Sequence, residues 1–228
     1  MIDLPKGLIV SCQALEGNPL RDSNILAHLA KAAEIGGASA IRANGVEDIT
    51  AMRKLLTIPI IGINKQKDKT GRTVITPTFE SAAQVVAAGA DIIALDATFC
   101  ESNIREDVKT TIERIHNELH VPVMADISCA EEAARAAQWG ADLVSTTLSG
   151  YMPDQPYRPE EKYVPDFVLI QSILSDPRVT CPVIGEGRFW TPHDLKKGIQ
   201  MGLRGVVIGK AITNAMAITQ YFAAALKG

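Results

Sequence analysis

Glycines that end helical stretches recur along this chain at a nearly fixed spacing. Gly36-Gly37-Ala38, Gly89-Ala90-Asp91 and Gly140-Ala141-Asp142 each separate an Ala-rich stretch from a short apolar run, and Gly202 stands before Gly205 in the same way. Glycine is favoured just past a helix end because it takes the left-handed conformation cheaply. Gly37 to Gly89 is 52 positions and Gly89 to Gly140 is 51. Each step therefore holds two strand–helix units of roughly 25 residues, the size of one unit of an α/β barrel.

The apolar runs read as strands near residues 8–12, 39–43, 58–63, 91–95, 121–126, 142–146, 183–186 and 205–208. They are apolar almost throughout rather than alternating, as in parallel sheets covered on both faces. Pro59, Pro122 and Pro182 stand at or beside the starts of the third, fifth and seventh runs, where proline costs no ladder hydrogen bond. Eight such units use up a chain of 228 residues. With right-handed crossovers they predict one α/β domain over residues 1–228, a (β/α)8 TIM barrel.

Helix starts agree with this division. Ser128-Cys129-Ala130-Glu131 reads as a capping box. Thr191-Pro192 reads as an N-cap followed by proline in the first turn. A Pro/Tyr-rich segment over residues 149–166 follows the sixth strand. It is either a lid over the barrel mouth or a surface excursion.

Bulk properties narrow the function. A net charge of −3 gives no reason to expect nucleic acid or an anionic membrane as partner. The opening Met1-Ile-Asp-Leu-Pro-Lys-Gly7 lacks the pattern of a signal peptide. No apolar run is long enough to span a bilayer. Cys12, Cys100, Cys129 and Cys181 show no CxxC spacing and read as reduced thiols in a cytoplasmic protein. His28, His116, His120 and His193 fall in helices or their flanks, so no metal site is expected in the mouth.

In a barrel of this kind, chemistry is done by residues at the C-terminal ends of the strands. Here those ends carry Gln13, Arg42, Lys65, Asp96, Asp126, Thr146-Thr147, Glu186 and Gly209. Lys65 is either a reactive amine or a solvated member of a charge-rich stretch that also holds Lys67 and Lys69. Glu186, between two glycines at the end of a buried run, packs poorly and reads as a site residue. Asp126 either orients a neighbour or binds hydroxyls. Arg42 either pairs with a buried carboxylate or binds an anionic substrate. Gln13 suits a sugar hydroxyl or carbonyl, or the backbone of a loop. Glycines at Gly185, Gly187 and Gly209 lie after the last two strands, where barrels often cradle a phosphate.

These motifs resemble the N-acetylmannosamine-6-phosphate 2-epimerase family. The matching segments are Gly7-Leu-Ile-Val-Ser-Cys-Gln13, Ala40-Ile-Arg-Ala43, Pro59-Ile-Ile-Gly-Ile-Asn-Lys65, Ile75-Thr-Pro-Thr78, Ile93-Ala-Leu-Asp-Ala97, Met124-Ala-Asp126, Thr146-Thr-Leu-Ser-Gly-Tyr151, Val183-Ile-Gly-Glu-Gly187 and Ala211-Ile-Thr213. The resemblance implies a cofactor-independent isomerase that interconverts N-acetylmannosamine 6-phosphate and N-acetylglucosamine 6-phosphate in sialic acid catabolism. It implies Lys65 and Glu186 as catalytic residues. Gln13, Arg42, Asp126, Thr147, Gly187, Gly209, Lys210 and Asn214 are the expected substrate-binding positions. A homodimer is implied as well.

The chain departs from the family pattern after the last strand. Lys210 occupies a position where the family commonly has a small residue, and Asn214 occupies that of a phosphate-binding arginine. Lys210 is expected to restore the charge. Asn64 and Gln66 also replace the usual Val/Ile and Arg beside the lysine. Two other readings compete: a class I aldolase with Lys65 as its Schiff-base amine, and a non-catalytic sugar-phosphate binding barrel.

Overall fold

A computed structural model describes residues 4–226 of the chain. The first three residues of the N-terminal segment considered above lie outside the described part. Eight parallel strands close into a barrel in sequence order. They are β1 (Gly7–Cys12), β2 (Ala40–Asn44), β3 (Ile60–Ile63), β4 (Ile92–Asp96), β5 (Val123–Asp126), β6 (Leu143–Ser145), β7 (Val183–Glu186) and β8 (Gly205–Ile208). Closure comes from β1 on β8, with Gly7 opposite Gly205 and Val10 opposite Ile208. The predicted barrel and all eight strand positions are thus present, the last two with the expected bounds and the others with ends shifted by at most two residues.

Helices alternate with these strands: α1 (Ser23–Ile35), α2 (Val46–Arg53), α3 (Phe79–Ala87), α4 (Val108–Arg114), α5 (Ala130–Gln138), α6 (Phe167–Leu174), α7 (Pro192–Met201), the short α8 (Lys210–Thr213) and α9 (Ala215–Ala224). Gly202 ends α7 with φ of 117°, as its place past the helix end predicts. Gly37, Gly89 and Gly140 likewise take positive φ. Thr191 caps α7 through Asp194 N–H, with Pro192 in the first turn.

The capping box of α5 lies one residue later than expected. Cys129 is the N-cap, and Glu132 rather than Glu131 closes the box. Glu132 Oε2 accepts from Ser128 N–H at 2.6 Å, Ser128 Oγ at 2.8 Å and Cys129 N–H at 3.2 Å, while its Oε1 accepts from Phe99 N–H at 2.7 Å. The buried Glu132 gathers donors from two loops, which Glu131 on the outer face does not reach.

The alternation of each strand sorts its residues into two cores. Outward side chains such as Val10, Ile41, Ile93, Ala125, Val144 and Val206 pack under the helices. Gly62 also faces outward: a Cβ there would meet Ala90 Cβ at 2.5 Å, so only glycine lets α3 and its following turn approach β3. Inward residues Ile9, Ala40, Ile61, Ile92, Met124, Leu143, Ile184 and Val207 fill the barrel. Because strand side chains alternate with period two, the next inward positions are fixed. They are Ser11, Arg42, Ile63, Ala94, Asp126, Ser145 and Glu186, and the alternation continues to Gln13, Lys65, Asp96 and Thr147. The apolar interior therefore gives way, at the C-terminal end, to a polar layer.

Candidate active site

Arg42 and Asp126 form the floor of this layer. Both are buried, and the guanidinium grips the carboxylate with Nη1 to Oδ1 at 3.0 Å and Nη2 to Oδ2 at 2.6 Å. Arg42 Nη1 also stands 3.1 Å from Glu186 Oε2. Burial works against the charge on Arg42, but the Asp126 and Glu186 carboxylates outweigh it and hold its pKa above the usual value. Of the two roles open to Arg42 in the sequence, the structure gives it the carboxylate pair. Its Nε is buried without a partner among the described residues.

Lys65 opens a small antiparallel hairpin beyond β3, in which Lys65–Lys67 pairs with Thr73–Ile75. Ile75 joins the barrel interior and so seats this hairpin over the mouth. The Lys65 backbone N–H donates to Asn44 Oδ1 at 2.9 Å, which ties the hairpin to the end of β2. The ammonium donates to Gln13 Oε1 at 2.6 Å, and Gln13 in turn donates to Ser11 Oγ at 2.8 Å. Burial, and then the charge of Arg42, lower the Lys65 pKa to about 8; Glu186 and Asp126 oppose the shift and Lys210 adds to it. Lys67 and Lys69 are exposed, as expected of solvated lysines.

Glu186 ends β7, and Thr146 Oγ1 brackets its backbone by accepting from Glu186 N–H at 2.9 Å and donating to Glu186 C=O at 2.8 Å. The carboxyl pKa is raised by burial and by Asp126, against the pull of Arg42, of the Thr147 hydroxyl when it donates to the carboxylate, and of Lys65. Thr147 Oγ1 lies between two carboxyls, 2.5 Å from Asp126 Oδ1 and 3.1 Å from Glu186 Oε2. Arg42, Asp126, Thr147 and Glu186 thus form one connected network, and the Lys65–Gln13 pair stands within electrostatic reach of it. Gly187 follows with φ of 98°, a conformation that suits glycine.

Gly209 lies at the turn into α8, and Thr213 Oγ1 fastens that turn by donating to Ser11 C=O at 2.8 Å. Lys210 stands exposed in the first turn of α8. Asn214 has a task its sequence position did not announce. Its Oδ1 accepts from Ala217 N–H at 3.0 Å and caps α9, and its amide NH2 is the part able to donate to an anion.

A second charge cluster escaped the sequence reading of the site. Asp96 is paired in register with Asp126 on the neighbouring strand. Its carboxylate takes Arg72 Nη1 at 2.9 Å, Arg105 Nη1 at 2.8 Å, and Thr98 N–H and Oγ1 at 3.0 and 2.7 Å. Two adjacent buried carboxylates are tolerated because arginines from β2 and from the β3 and β4 loops neutralise them. The signal was Asp96 itself, a charge at the end of an apolar strand. A cavity of about 640 Å³ lies beside this cluster, between Asp68, Phe99, Arg105 and Trp139. It includes neither Lys65 nor Glu186, so the convergence of side chains in the mouth, not the size of this cavity, marks the candidate active site.

The segment over residues 149–166 is fastened at both ends rather than loose. Arg188, at φ of 61°, donates from Nη1 to Ser149 C=O at 2.7 Å and from Nε to Val164 C=O at 2.8 Å. Ser149 Oγ donates to Asp166 at 2.7 Å. Tyr163 packs edge-on against Trp190 and against Tyr221 of α9, with ring centroids 4.8 Å apart in each case.

Comparisons with known proteins agree with the motifs. Residues 26–228 match the family described as "Putative N-acetylmannosamine-6-phosphate epimerase". A relative from Caldanaerobacter subterraneus subsp. tengcongensis, named "Putative N-acetylmannosamine-6-phosphate 2-epimerase", is 47% identical over 98% of this chain and 92% of its own. A Clostridioides difficile protein of the same name is 45% identical over 100% of this chain and 99% of its own. The solved structure of the N-acetylmannosamine-6-phosphate 2-epimerase from Clostridium perfringens superposes with a TM-score of 0.89 at 41% identity, covering 96% of this chain and 93% of that one. A thiamine phosphate pyrophosphorylase from Pyrococcus furiosus, 17% identical with a TM-score of 0.61, shares the fold alone. With a family match across most of its length and relatives this similar from end to end, the chain belongs to the N-acetylmannosamine-6-phosphate 2-epimerase family.

Proposed function

We propose that this chain, as a single catalytic domain, interconverts N-acetylmannosamine 6-phosphate and N-acetylglucosamine 6-phosphate. The observation that carries the reading is the Lys65 amine, held in the mouth by Gln13 with its pKa lowered to about 8 and facing the same network as Glu186. Inverting C2 requires removal of the proton alpha to the C1 carbonyl of the ring-opened sugar, followed by its return on the other face. A base of this pKa is neutral in roughly a tenth of molecules at pH 7, against well under a thousandth for a free lysine. Lys65 takes and returns the C2 proton, and Glu186 exchanges a proton with the substrate oxygens. Gln13 orients and polarises C1=O, above the carboxyls that Arg42 holds in place.

The phosphate lies toward Gly187, Gly209 and Lys210, with the amide of Asn214 beside them. Glycine backbone at the ends of β7 and β8 supports this placement, as does the influence of Lys210 on the Lys65 amine. No helix among the described residues is long and apolar enough to cross a membrane. A cytoplasmic homodimer fits these features. Helix α9 is apolar yet buries none of its residues, leaving Met216 46% and Phe222 68% exposed, and a second copy of the chain would cover them.

Proton NMR of N-acetylmannosamine 6-phosphate with the protein in deuterated water tests the reading. N-acetylglucosamine 6-phosphate carrying deuterium at C2 is the expected product. Substrate that binds but returns unchanged and undeuterated would sink the assignment.

A further inference from the structure

The Thr147 hydroxyl sits where three oxygens converge. Asp126 Oδ1 is 2.5 Å away, Ser145 Oγ 2.9 Å and Glu186 Oε2 3.1 Å. A hydroxyl has one proton to give and two lone pairs to accept with. It can therefore donate to only one of the two carboxyls. The Asp126 contact has the short length of a hydroxyl donating to an ionised carboxylate, and Asp126 is the anion gripped by both Arg42 Nη groups. The Thr147 proton belongs to Asp126. What Thr147 turns toward Glu186 is then a lone pair, which repels a carboxylate but accepts from a carboxylic acid.

The other groups facing Glu186 do not reverse this. Arg42, from β2, favours the anion but already serves Asp126 at 3.0 and 2.6 Å, shorter than or close to its 3.1 Å contact with Glu186. Asp126, from β5, disfavours a second negative charge beside it. Lys65, from the hairpin after β3, favours the anion while protonated, as it mostly is at pH 7, but the hydrogen bond of its ammonium goes to Gln13 Oε1. Tyr151, from the segment after β6, is the remaining titratable group near Glu186, and as a neutral phenol it adds no charge.

We propose that Thr147 is a positioning residue which, by donating to Asp126 and accepting from Glu186, fixes the proton of this carboxyl pair on Glu186. The inference rests on the proposed epimerisation for its use: Glu186 meets the sugar as an acid. In the first step the C2–H bond breaks and its proton goes to neutral Lys65. The electron pair forms the C1–C2 double bond, the C1=O π pair moves onto oxygen, and that oxygen takes the Glu186 proton. Lys65 ends as ammonium, Glu186 as carboxylate, and the substrate as a neutral 2-acetamido enol.

Infrared difference spectroscopy of the free protein tests the proton's place without any substrate. A protonated-carboxyl C=O stretch at neutral pH, assigned by its disappearance in Glu186→Gln, is expected in the wild type and in Thr147→Ser. It is expected to be lost in Thr147→Val, which fills the same space without a lone pair. A band that persists in Thr147→Val overturns the proposal, since a merely structural threonine would leave it untouched. Should that variant fail to fold, the wild-type spectrum still decides: absence of the Glu186 band at neutral pH overturns it as well. Because no turnover is needed, these results stand apart from the fate of the epimerase reading, which the deuterium experiment settles separately.

Discussion

Arg42 and Asp126 meet as a buried, two-pronged ion pair across the bottom of the mouth, 3.0 and 2.6 Å between their paired atoms. Neither charge has water to fall back on. Removing one partner leaves the other uncompensated, a loss of about 3–5 kcal/mol in buried pairs. Asp126→Ala is expected to lose that much stability in urea titration, together with its activity. Replacing both residues with apolar ones of similar volume should recover much of the stability and none of the activity. A single variant as stable as the wild type would show that the pair is solvated.

The pH dependence of turnover should report Lys65. Its pKa lies near 8, lowered first by burial and then by Arg42. The reactive form is the neutral amine, so kcat/KM should rise with pH toward about 8, and any fall beyond that would report loss of the Glu186 proton. Gln13→Glu places an anion against the ammonium, which favours the charged form and should move that rise to higher pH. Lys65→Ala should lose about 10²–10⁴-fold in kcat, the usual share of general acid–base catalysis. A profile flat from pH 6 to 9 would exclude Lys65 as the titrating base.

Much of this was legible from the chain alone, and the reason is periodicity. Glycine spacing and two-sided apolar runs define the barrel, and strand ends point to Gln13, Arg42, Lys65, Asp126 and Glu186. Partnership was not legible, because it depends on which strands become neighbours. Arg42 is 84 positions from Asp126, and nothing local distinguishes pairing with it from binding an anion. Arg72 and Arg105 meet Asp96 only because the loops that carry them fold back on it, 24 and 9 positions away in the chain. The α5 cap slipped by one because Ser128 and Glu131 fit the pattern while the helix starts after Cys129, so that the buried Glu132 closes the box. Asn214 was read for a ligand while its oxygen caps the next helix. The parity of the strands was a usable signal throughout: counting by twos from Ile9, Ile61 and Leu143 leads to Gln13, Lys65 and Thr147.

Arg188 joins the two ends of the segment over residues 149–166 to the loop that follows Glu186. Arg188→Ala should free that segment while leaving the barrel intact. The expected signature is a several-fold rise in KM with a smaller change in kcat, and faster proteolytic cleavage within residues 149–166. Unchanged KM with faster cleavage would make the segment a surface excursion rather than a cover of the site.

Gly62 offers a test of the fold that is independent of the chemistry. A methyl group there would stand 2.5 Å from Ala90 Cβ and 3.2 Å from Ile49 Cδ1. Overpacking of this kind costs about 1–3 kcal/mol. Gly62→Ala should therefore lower the melting temperature measurably. Its Cβ faces the helices rather than the mouth, so the folded fraction should keep near-normal kcat.

The exposed face of α9 makes the last prediction. Met216 and Phe222 are 46% and 68% exposed on a helix that buries none of its residues, while Tyr221 reaches back to Tyr163 and Trp190. Burying a phenylalanine side chain gains about 1.5–3 kcal/mol, and twofold symmetry counts each residue twice. Phe222→Glu should weaken a homodimer by orders of magnitude in its dissociation constant. Sedimentation velocity across a dilution series would follow this directly. If Tyr163 depends on a covered α9 for its position, the monomeric variant should also raise KM, because the segment over residues 149–166 would lose one of its supports. A wild type that sediments as a monomer at every concentration would remove the dimer, and would leave α9 as a helix whose apolar face needs another explanation.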